Sequence, residues 1–333
     1  MIKKIGILLL ATIGVNAQDK GGFESYSNPF YGTIVSESNT YEEKEKESSK
    51  SFKMNFDGKK IPESLSEFNV IEAEKPISQG NTGTCWCFST TSFYESEIHR
   101  LTGKTINLSE LYPVYFEYIE KAKGYINTRG KTHLGEGSET NAVQRMMDWY
   151  GIVPAEAYHG KPSNQPYYNH EKMFGEFEAY LKNCKQINFW DETAIISNIK
   201  SILNYYMGAP PTKFNYNGKT YTPKSFLKNV TKLKPNDYVD FMSLMQKPYW
   251  SQEEYKVPDN WWKSDSYYNV PLDEFMFVIK NAIENGYSIS IGGDVSESGY
   301  SSNYDVAMIP SYDIPSEFID ENARQFRFSN GTT

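Results

Sequence analysis

The stretch that decides the fold is SQGNTGTCWCFSTTSFYESEIHRLTG, residues 78–103. Its first seven residues are rich in Gly, Thr and Asn, which predicts a turn. From Cys85 onwards, small or apolar side chains recur at helical spacing: Cys87, Thr91, Tyr94, Ile98 and Leu101. Thr82 or Thr84 can cap the start of a helix, and Gly103 suits its end. The pattern therefore predicts a buried helix with Cys85 in its first turn.

This placement suits a nucleophilic thiol. A thiol attacks carbonyl carbon as the thiolate, and the partial positive charge at a helix N-terminus favours that form. The attack creates an oxyanion, which needs preorganised hydrogen-bond donors. Gln79 lies on the turn, six residues before Cys85. Its side-chain amide and the backbone N–H of Cys85 are the candidate donors, so Cys85 and Gln79 are the predicted reacting pair.

The segment QGNTGTCWCFS, residues 79–89, resembles the active-site segment QGxCGSCWAFS of papain-like cysteine peptidases (peptidase C1 family). The shared positions are Gln79, Gly80, Gly83, Cys85, Trp86, Phe88 and Ser89. Thr82 stands where papain has a further Cys, which makes the segment similar to the bleomycin hydrolase or aminopeptidase C branch. The resemblance implies an α+β, two-lobed fold with a helical nucleophile lobe and an antiparallel β lobe.

Later segments resemble the same branch, so the likeness covers roughly residues 68–333 and is patchy over 160–240. They are INLSELYPVYF (106–116), GEGSETNAVQRMMDWYGIVP (135–154), VPDNWWKSDSYYNVPLDEFM (257–276) and IDENARQFRFSNGTT (319–333). The resemblance places Gly137 and Ser138 on the paired glycines that bind a substrate's backbone. Ser138 departs from glycine, and a helix N-cap is its plain alternative role.

In this family the general acid is a His from the β lobe, oriented by an Asn. The chain has four histidines, His99, His133, His159 and His170, and all precede the predicted β segment. His99 lies fourteen residues beyond Cys85, about 21 Å along a helix. The segment ending in SNGTT resembles the one just before the family's His. We therefore expect a chain truncated before the catalytic His and Asn, with negligible peptidase activity and poor stability.

Two other functions are open. A non-catalytic remnant would keep the peptide-binding cleft without the chemistry. A thiol oxidoreductase or metal protein would use Cys85 and Cys87, but neither role needs Gln79, and no second ligand cluster accompanies the pair. Cys87 is predicted to be a small core residue, and Cys184 an incidental core or surface thiol. Three cysteines do not indicate a disulfide framework, and the sequence predicts neither a metal nor a cofactor.

The sequence divides into four parts. MIKKIGILLLATIGVNA, residues 1–17, has the basic, apolar and small-residue regions of a cleavable signal peptide. It predicts export to the periplasm or secretion, and its apolar run is shorter than the roughly 20 residues that span a bilayer. Residues 18–67 are a polar arm or pro-segment, 68–270 a helical lobe with a long insertion at about 160–270, and 271–333 the start of an incomplete β lobe.

Composition limits the partners. The formal net charge is −8, and loss of residues 1–17 would make it −10, because two Lys and no acid are removed. Nucleic-acid binding usually needs a basic face, so this balance gives it no support. The expected partner is a peptide substrate. The resembled branch often forms hexamers, which makes a homo-oligomer an expectation by resemblance.

Periodicity and caps predict further elements. Helices are expected from Asn107 or Ser109 to about Lys123, and over residues 138–150, 171–181, 191–206 and 271–286. Alternating side chains predict strands at 287–295 and 305–309. Order is expected to begin near Phe68.

Overall fold

The structure is a computed structural model that describes residues 21–25, 30, 32–34, 50–293, 295 and 297–310. The predicted signal peptide and the terminal segment 319–333 lie outside these ranges. The described residues fall into two compact units. The larger contains residues 30, 32–34 and 63–293, and the smaller contains 21–25, 50–62, 295 and 297–310. Over these ranges, no helix is both long and apolar enough to cross a membrane.

The larger unit is mainly helical. Its helices of two turns or more are α1 (Cys85–Thr102), α2 (Leu111–Asn127), α3 (Thr140–Tyr150), α4 (Glu171–Gln186) and α5 (Glu192–Met207). A single turn, α6 (Pro223–Phe226), and α7 (Leu272–Glu284) follow. These bounds confirm the predicted helices to within a few residues, and α2 and α4 extend further than expected. Asp191 caps α5 by accepting the N–H of Ala194.

Helix α1 forms as its periodicity predicts. Cys87, Tyr94 and Ile98 are buried on one face, and Gly103 ends the helix at a φ of 65° while its N–H reaches the carbonyl of His99. Leu101, the last member of the apolar series, is 44% exposed. It lies in the final turn of the helix, so the apolar pattern overstated the buried length.

The long insertion shares its core with the nucleophile helix. Helix α1 contacts α2 and α3, α2 contacts α5, and α4 contacts α5. One apolar cluster runs from Cys87 on α1 through Val114 on α2 to Phe177, Leu203 and Phe226 in the insertion. Burial of this shared surface is the main stabilising term for the unit. The insertion is therefore part of the helical unit's packing.

Short sheets complete the larger unit. Strands β3 (Phe214–Tyr216) and β4 (Lys219–Tyr221) form a hairpin. A second sheet contains β5 (Phe241–Met242), β6 (Ser251–Glu253) and β7 (Tyr267–Asn269), with β7 in the centre. Strand β5 runs parallel to β7, and β6 runs antiparallel to it.

The smaller unit pairs strands within the predicted polar arm. Strand β1 (Gly21–Ser25) lies antiparallel to β2 (Lys50–Met54), with Phe23 opposite Phe52. Order therefore begins before Phe68 in the described residues. This pairing could not be predicted from local patterns, because it joins short segments more than twenty residues apart. The two-stranded β8 (Tyr300–Ser301) and β9 (Val306–Ala307) belong to the same unit.

The predicted β segment differs from the structure. Residues 287–293 are not a strand, and α7 before them belongs to the helical unit. The predicted domain boundary at 270 stays a prediction. A strand requires a partner ladder, and no described residue supplies one here. The side chain of Ser290 instead contacts Ser89 on α1 at 3.1 Å. The second predicted strand is confirmed in part, since β9 falls inside residues 305–309.

Candidate active site

Cys85 begins helix α1 and is exposed. Thr84 precedes it as the N-cap residue, although its side chain makes no capping hydrogen bond. The first N–H groups of a helix lack intrahelical partners, so they concentrate positive potential at its start. An exposed thiol at this position is available to a substrate carbonyl.

Cys87 is a core residue, as predicted. It is fully buried, and its Sγ donates to the backbone oxygen of Glu110 at 3.0 Å. Burial raises the pKa of the Cys87 thiol well above its ordinary value, outweighing the hydrogen bond from Thr91. This thiol is therefore held protonated, away from the solvent that reaches Cys85. A redox or metal pair of Cys85 and Cys87 does not fit this arrangement, and Cys184 is likewise buried.

Gln79 lies on the turn before α1 and is held by local hydrogen bonds. Its Nε2 donates to the carbonyl of Thr82 at 2.6 Å, and the Thr82 hydroxyl donates back to the carbonyl of Gln79 at 3.0 Å. The amide nitrogen carries two hydrogens, so this bond leaves a second donor. The proposed oxyanion role of Gln79 stays a prediction.

The turn is pinned to the segment 168–170. The N–H of Asn81 donates to the carbonyl of Tyr168 at 2.8 Å, and the N–H of His170 donates to the carbonyl of Asn81 at 3.1 Å. Gly80 has a φ of +67°, and a Cβ there would overlap the Tyr168 carbonyl. Only glycine combines this backbone conformation with so close an approach. The glycine of the Gln-Gly pair thus has a structural reason to be there.

Glu136 contacts both sides of the nucleophile. Its carboxylate accepts the N–H of Gly83 at 2.9 Å, and its carbonyl accepts the indole N–H of Trp86 at 3.2 Å. His170 Nδ1 lies 3.5 Å from the same carboxylate. Burial pushes the pKa of Glu136 upwards, but the bonds from His170, Gly83 and Tyr118 outweigh it and hold the pKa below its ordinary value.

The segment after Glu136 carries the two predicted substrate-binding positions. Gly137 is half-buried, and a Cβ there would lie 2.5 Å from Asp259 Oδ2. Ser138 turns its hydroxyl inwards and donates to Glu117 Oε1 at 2.7 Å. It does not cap α3, which begins at Thr140. Any contact of Ser138 with substrate would come from its backbone, so binding by Gly137 and Ser138 stays a prediction.

Buried charges hold this segment in place. The Nζ of Lys121 donates to the carbonyls of Gly135, at 2.7 Å, and of Gly137. Burial lowers the pKa of Lys121 to about 8, against the nearby Glu117 charge. Glu117 also accepts from Trp261 Nε1 at 2.7 Å and pairs with Arg145 at 2.5 Å. Hydrogen bonds therefore hold the segment of residues 135–138 against helix α2.

A cavity of about 350 Å³ adjoins the nucleophile turn. It is lined by Asn81, Thr82, Gly83, Glu136 and Glu171. Gly83 lies two residues before Cys85, so the cavity borders the chain segment that leads to the nucleophile.

The four histidines differ in their relation to this arrangement. His99 is in the last turn of α1, and His133 and His159 are exposed. His170 is 3% exposed and contacts Tyr118 and Glu136. Among the described residues, no hydrogen bond or ion pair joins a histidine to Cys85. That none of the four serves as its general acid stays a prediction.

Sequence reasoning missed Glu136 and His170 as parts of the site. Glu136 lies 53 positions from its partner Gly83, and His170 lies 89 positions from its partner Asn81. Periodicity and local motifs carry no signal over such separations. The one available hint was Glu136 itself, a charged residue directly before the predicted cleft glycine.

Two curated proteins are similar to this chain in sequence. The chain is 26% identical to pro-cathepsin H of Mus musculus over 193 residues, which is 57% of this chain and 45% of the relative. It is 22% identical to aminopeptidase C of Lactobacillus delbrueckii subsp. lactis over 270 residues, 69% of this chain and 60% of the relative. The chain thus spans about half to three fifths of these curated relatives.

A solved structure has the same fold. The crystal structure of PepW from Lactobacillus rhamnosis HN001 matches with a TM-score of 0.55 and 17% identity, covering 65% of this chain and 58% of that one. The papain-like α+β fold expected from the sequence is therefore confirmed. The profile of the Peptidase C1-like family matches residues 37–322. The chain belongs to the Peptidase C1-like family.

Proposed function

We propose that this protein is a cysteine peptidase of the aminopeptidase type, of the bleomycin hydrolase branch, which acts on peptide substrates. The observation that carries the proposal is the exposed Cys85 at the start of α1, together with the Gln79 turn that precedes it. Family membership and the likeness to aminopeptidase C support the reaction class. The segment around Gly137 supports a neighbouring site that binds the substrate's backbone.

The proposed reaction proceeds through an acyl-enzyme. The Cys85 thiolate attacks the scissile carbonyl carbon, and the electron pair of the C=O π bond moves to oxygen. The N–H of Cys85 and the amide of Gln79 stabilise this oxyanion. The C–N bond then breaks, and the leaving amine takes a proton from a general acid. Water hydrolyses the resulting thioester, which returns the thiol and releases the acid product.

We propose none of the four histidines as the general acid, because no hydrogen bond or ion pair among the described residues joins one of them to Cys85. Loss of a general acid typically costs roughly 10²–10⁴-fold in rate. Without such an acid, turnover would be negligible, although the Cys85 thiol could still add to a carbonyl. We therefore also propose a second candidate function, a peptide-binding protein that retains the cleft without turnover.

The test uses residues 18–333 with aminoacyl amides and with a peptide aldehyde. Hydrolysis that disappears in Cys85→Ala and persists in Cys184→Ala supports a working peptidase. A Cys85-dependent hemithioacetal with the aldehyde, without amide turnover, supports the non-catalytic alternative. Absence of both reactions from the folded protein would rule out a cysteine-peptidase site at Cys85.

Export and assembly remain proposals. We propose that residues 1–17 direct the chain to the periplasm or out of the cell, which N-terminal sequencing of the exported protein would test. A hexamer is proposed only from the resembled branch, and sedimentation of the purified protein would test it.

A further inference from the structure

Three anchors meet on the nucleophile turn. The first is the backbone pairing of Asn81 with Tyr168 and His170. The second is the carboxylate of Glu136 on the N–H of Gly83, and the third is the carbonyl of Glu136 on the indole of Trp86. Together they fix residues on both sides of Cys85, whose own N–H is a candidate oxyanion donor.

The Glu136 carboxylate is itself held from the interior. Its Oε2 lies 3.4 Å from the hydroxyl of Tyr118 and 3.5 Å from Nδ1 of His170. Tyr118 and His170 also contact each other at 3.2 Å, and both are buried. Packing leaves the carboxylate little freedom, because a Cβ on Gly83 would already lie 2.7 Å from the Cβ of Glu136.

His170 joins two of the anchors. Its backbone N–H pairs with the turn at Asn81, and its ring contacts the carboxylate that holds Gly83. Its Nε2 has no hydrogen-bond partner among the described residues. A buried polar atom left unpaired costs free energy, so hydrogen bonding at Nε2 does not explain why this ring is buried. The contacts made through Nδ1 account for its position better.

We propose that Glu136 and His170 are positioning residues for the nucleophile turn: His170 and Tyr118 fix the Glu136 carboxylate, and that carboxylate sets Gly83 and, through it, the backbone of Cys85. The inference rests on the proposed function of Cys85 and deepens it. Neither residue touches the substrate in this role. Their effect is on the geometry of the thiol and of the oxyanion donors, where small displacements are costly.

The experiment measures the turn directly. Hydrogen exchange is followed at the Gly83 amide and at the Trp86 indole N–H, and alkylation of Cys85 by iodoacetamide is followed by peptide mass spectrometry. In Glu136→Gln and His170→Gln we expect exchange at Gly83 to quicken by about tenfold, as local opening becomes easier. We expect alkylation of Cys85 at neutral pH to slow by about threefold or more, as the thiolate loses its ordered setting.

Two controls separate positioning from general stability. His159→Gln alters an exposed histidine, and Cys184→Ala weakens the core away from the turn. Both should leave Gly83 exchange and the Cys85 rate unchanged at temperatures well below unfolding. If His170→Gln fails to fold, Tyr118→Phe provides the milder test, with a smaller change in the same direction.

The proposal is overturned if His170→Gln folds with wild-type exchange at Gly83 and wild-type alkylation at Cys85. It is also overturned if Cys184→Ala moves both readouts as far as the site variants do. Neither readout needs turnover. A chain that hydrolyses no peptide but shows these effects would retain the positioning network and lose only the proposed peptidase function.

Discussion

At the residue scale, Gly80 shows how a single position shapes the site. It holds a φ of +67°, and its Cα faces the backbone of Tyr168. The residue thus lets the Gln79 turn approach segment 168–170 closely enough for the Asn81 hydrogen bonds to form. The Gln-Gly pair therefore encodes a close backbone contact beside the predicted oxyanion donor.

Gly80→Ala should destabilise the protein. The substitution adds positive-φ strain and a steric overlap with Tyr168, so we expect a loss of about 1–3 kcal/mol in the free energy of unfolding. Chemical denaturation measures it. Gly175→Ala is the matched control, because Gly175 lies within α4 and a Cβ there meets nothing. That change should stabilise by up to about 1 kcal/mol, and equal losses at both glycines would contradict the steric explanation.

The candidate site could be predicted from the sequence only where its residues are neighbours along the chain. Cys85, Gln79 and the helix start share one segment, and Cys85 is the first residue of α1 as its spacing predicted. The contact made by the Ser138 side chain was harder to predict, because its buried partner Glu117 lies on helix α2. Glu136 and His170 could not be found, since their contacts come from packing between distant segments.

At the element scale, the helices follow from periodicity and the strands do not. Helix bonds are local, so apolar spacing and caps such as Asp191 and Gly103 set the ends. Strands β5, β6 and β7 are two or three residues each and depend on partners elsewhere. The alternation over 287–293 has the right pattern for a strand, but no described segment pairs with it.

Asn269, the last residue of β7, makes side-chain hydrogen bonds to the backbone of a neighbouring loop. It is fully buried. Its Oδ1 accepts the N–H of Leu244, and its Nδ2 donates to the carbonyls of Leu244, Lys247 and Pro248, all within 2.7–3.1 Å. The side chain therefore organises the loop that joins β5 to β6.

Asn269→Ala should cost about 2–4 kcal/mol, because it leaves several buried backbone groups without partners. Thermal and urea unfolding of the variant measure this. Asn198→Ala is the control: its Nδ2 donates to Tyr180 at an exposed site, and its effect should stay within about 0.5 kcal/mol. A small loss for Asn269→Ala would show that water or loop rearrangement replaces the lost bonds.

At the scale of the whole molecule, buried carboxyl groups make the free energy of unfolding depend on pH. Burial raises the pKa of Glu95 to about 7, against the opposing bond from the Leu108 N–H. Burial likewise raises the pKa of Glu110 to about 7. Both lie in the packing of α1 against the chain that leads into α2. The unfolded chain releases these protons near pH 4.5, the ordinary value.

The sign follows from proton binding. Between about pH 4.5 and 7 the folded state holds more protons than the unfolded state, so stability falls as pH rises through that window. The contribution of these two groups is complete below pH 4.5 and lost above about pH 7.

Glu95→Gln should therefore stabilise the protein at pH 8 and have little effect near pH 4.5. An amide keeps an acceptor for the Leu108 N–H and removes the cost of a buried charge. We expect a gain on the order of 1–3 kcal/mol at pH 8, read from unfolding curves at both pH values. Glu63→Gln, at an exposed position, is the control. Equal gains at the two pH values would show that burial of the charge is not the cause.

The unequal exposure of the three thiols has a practical consequence. Cys85 is exposed, while Cys87 and Cys184 are buried. A folded molecule therefore offers a colorimetric thiol reagent one fast-reacting group, and an unfolded molecule offers three. The stoichiometry of the rapid phase reports the folded fraction of any preparation, without substrate and without a label. The exposure of Cys85 therefore allows thiol titration to measure folding directly.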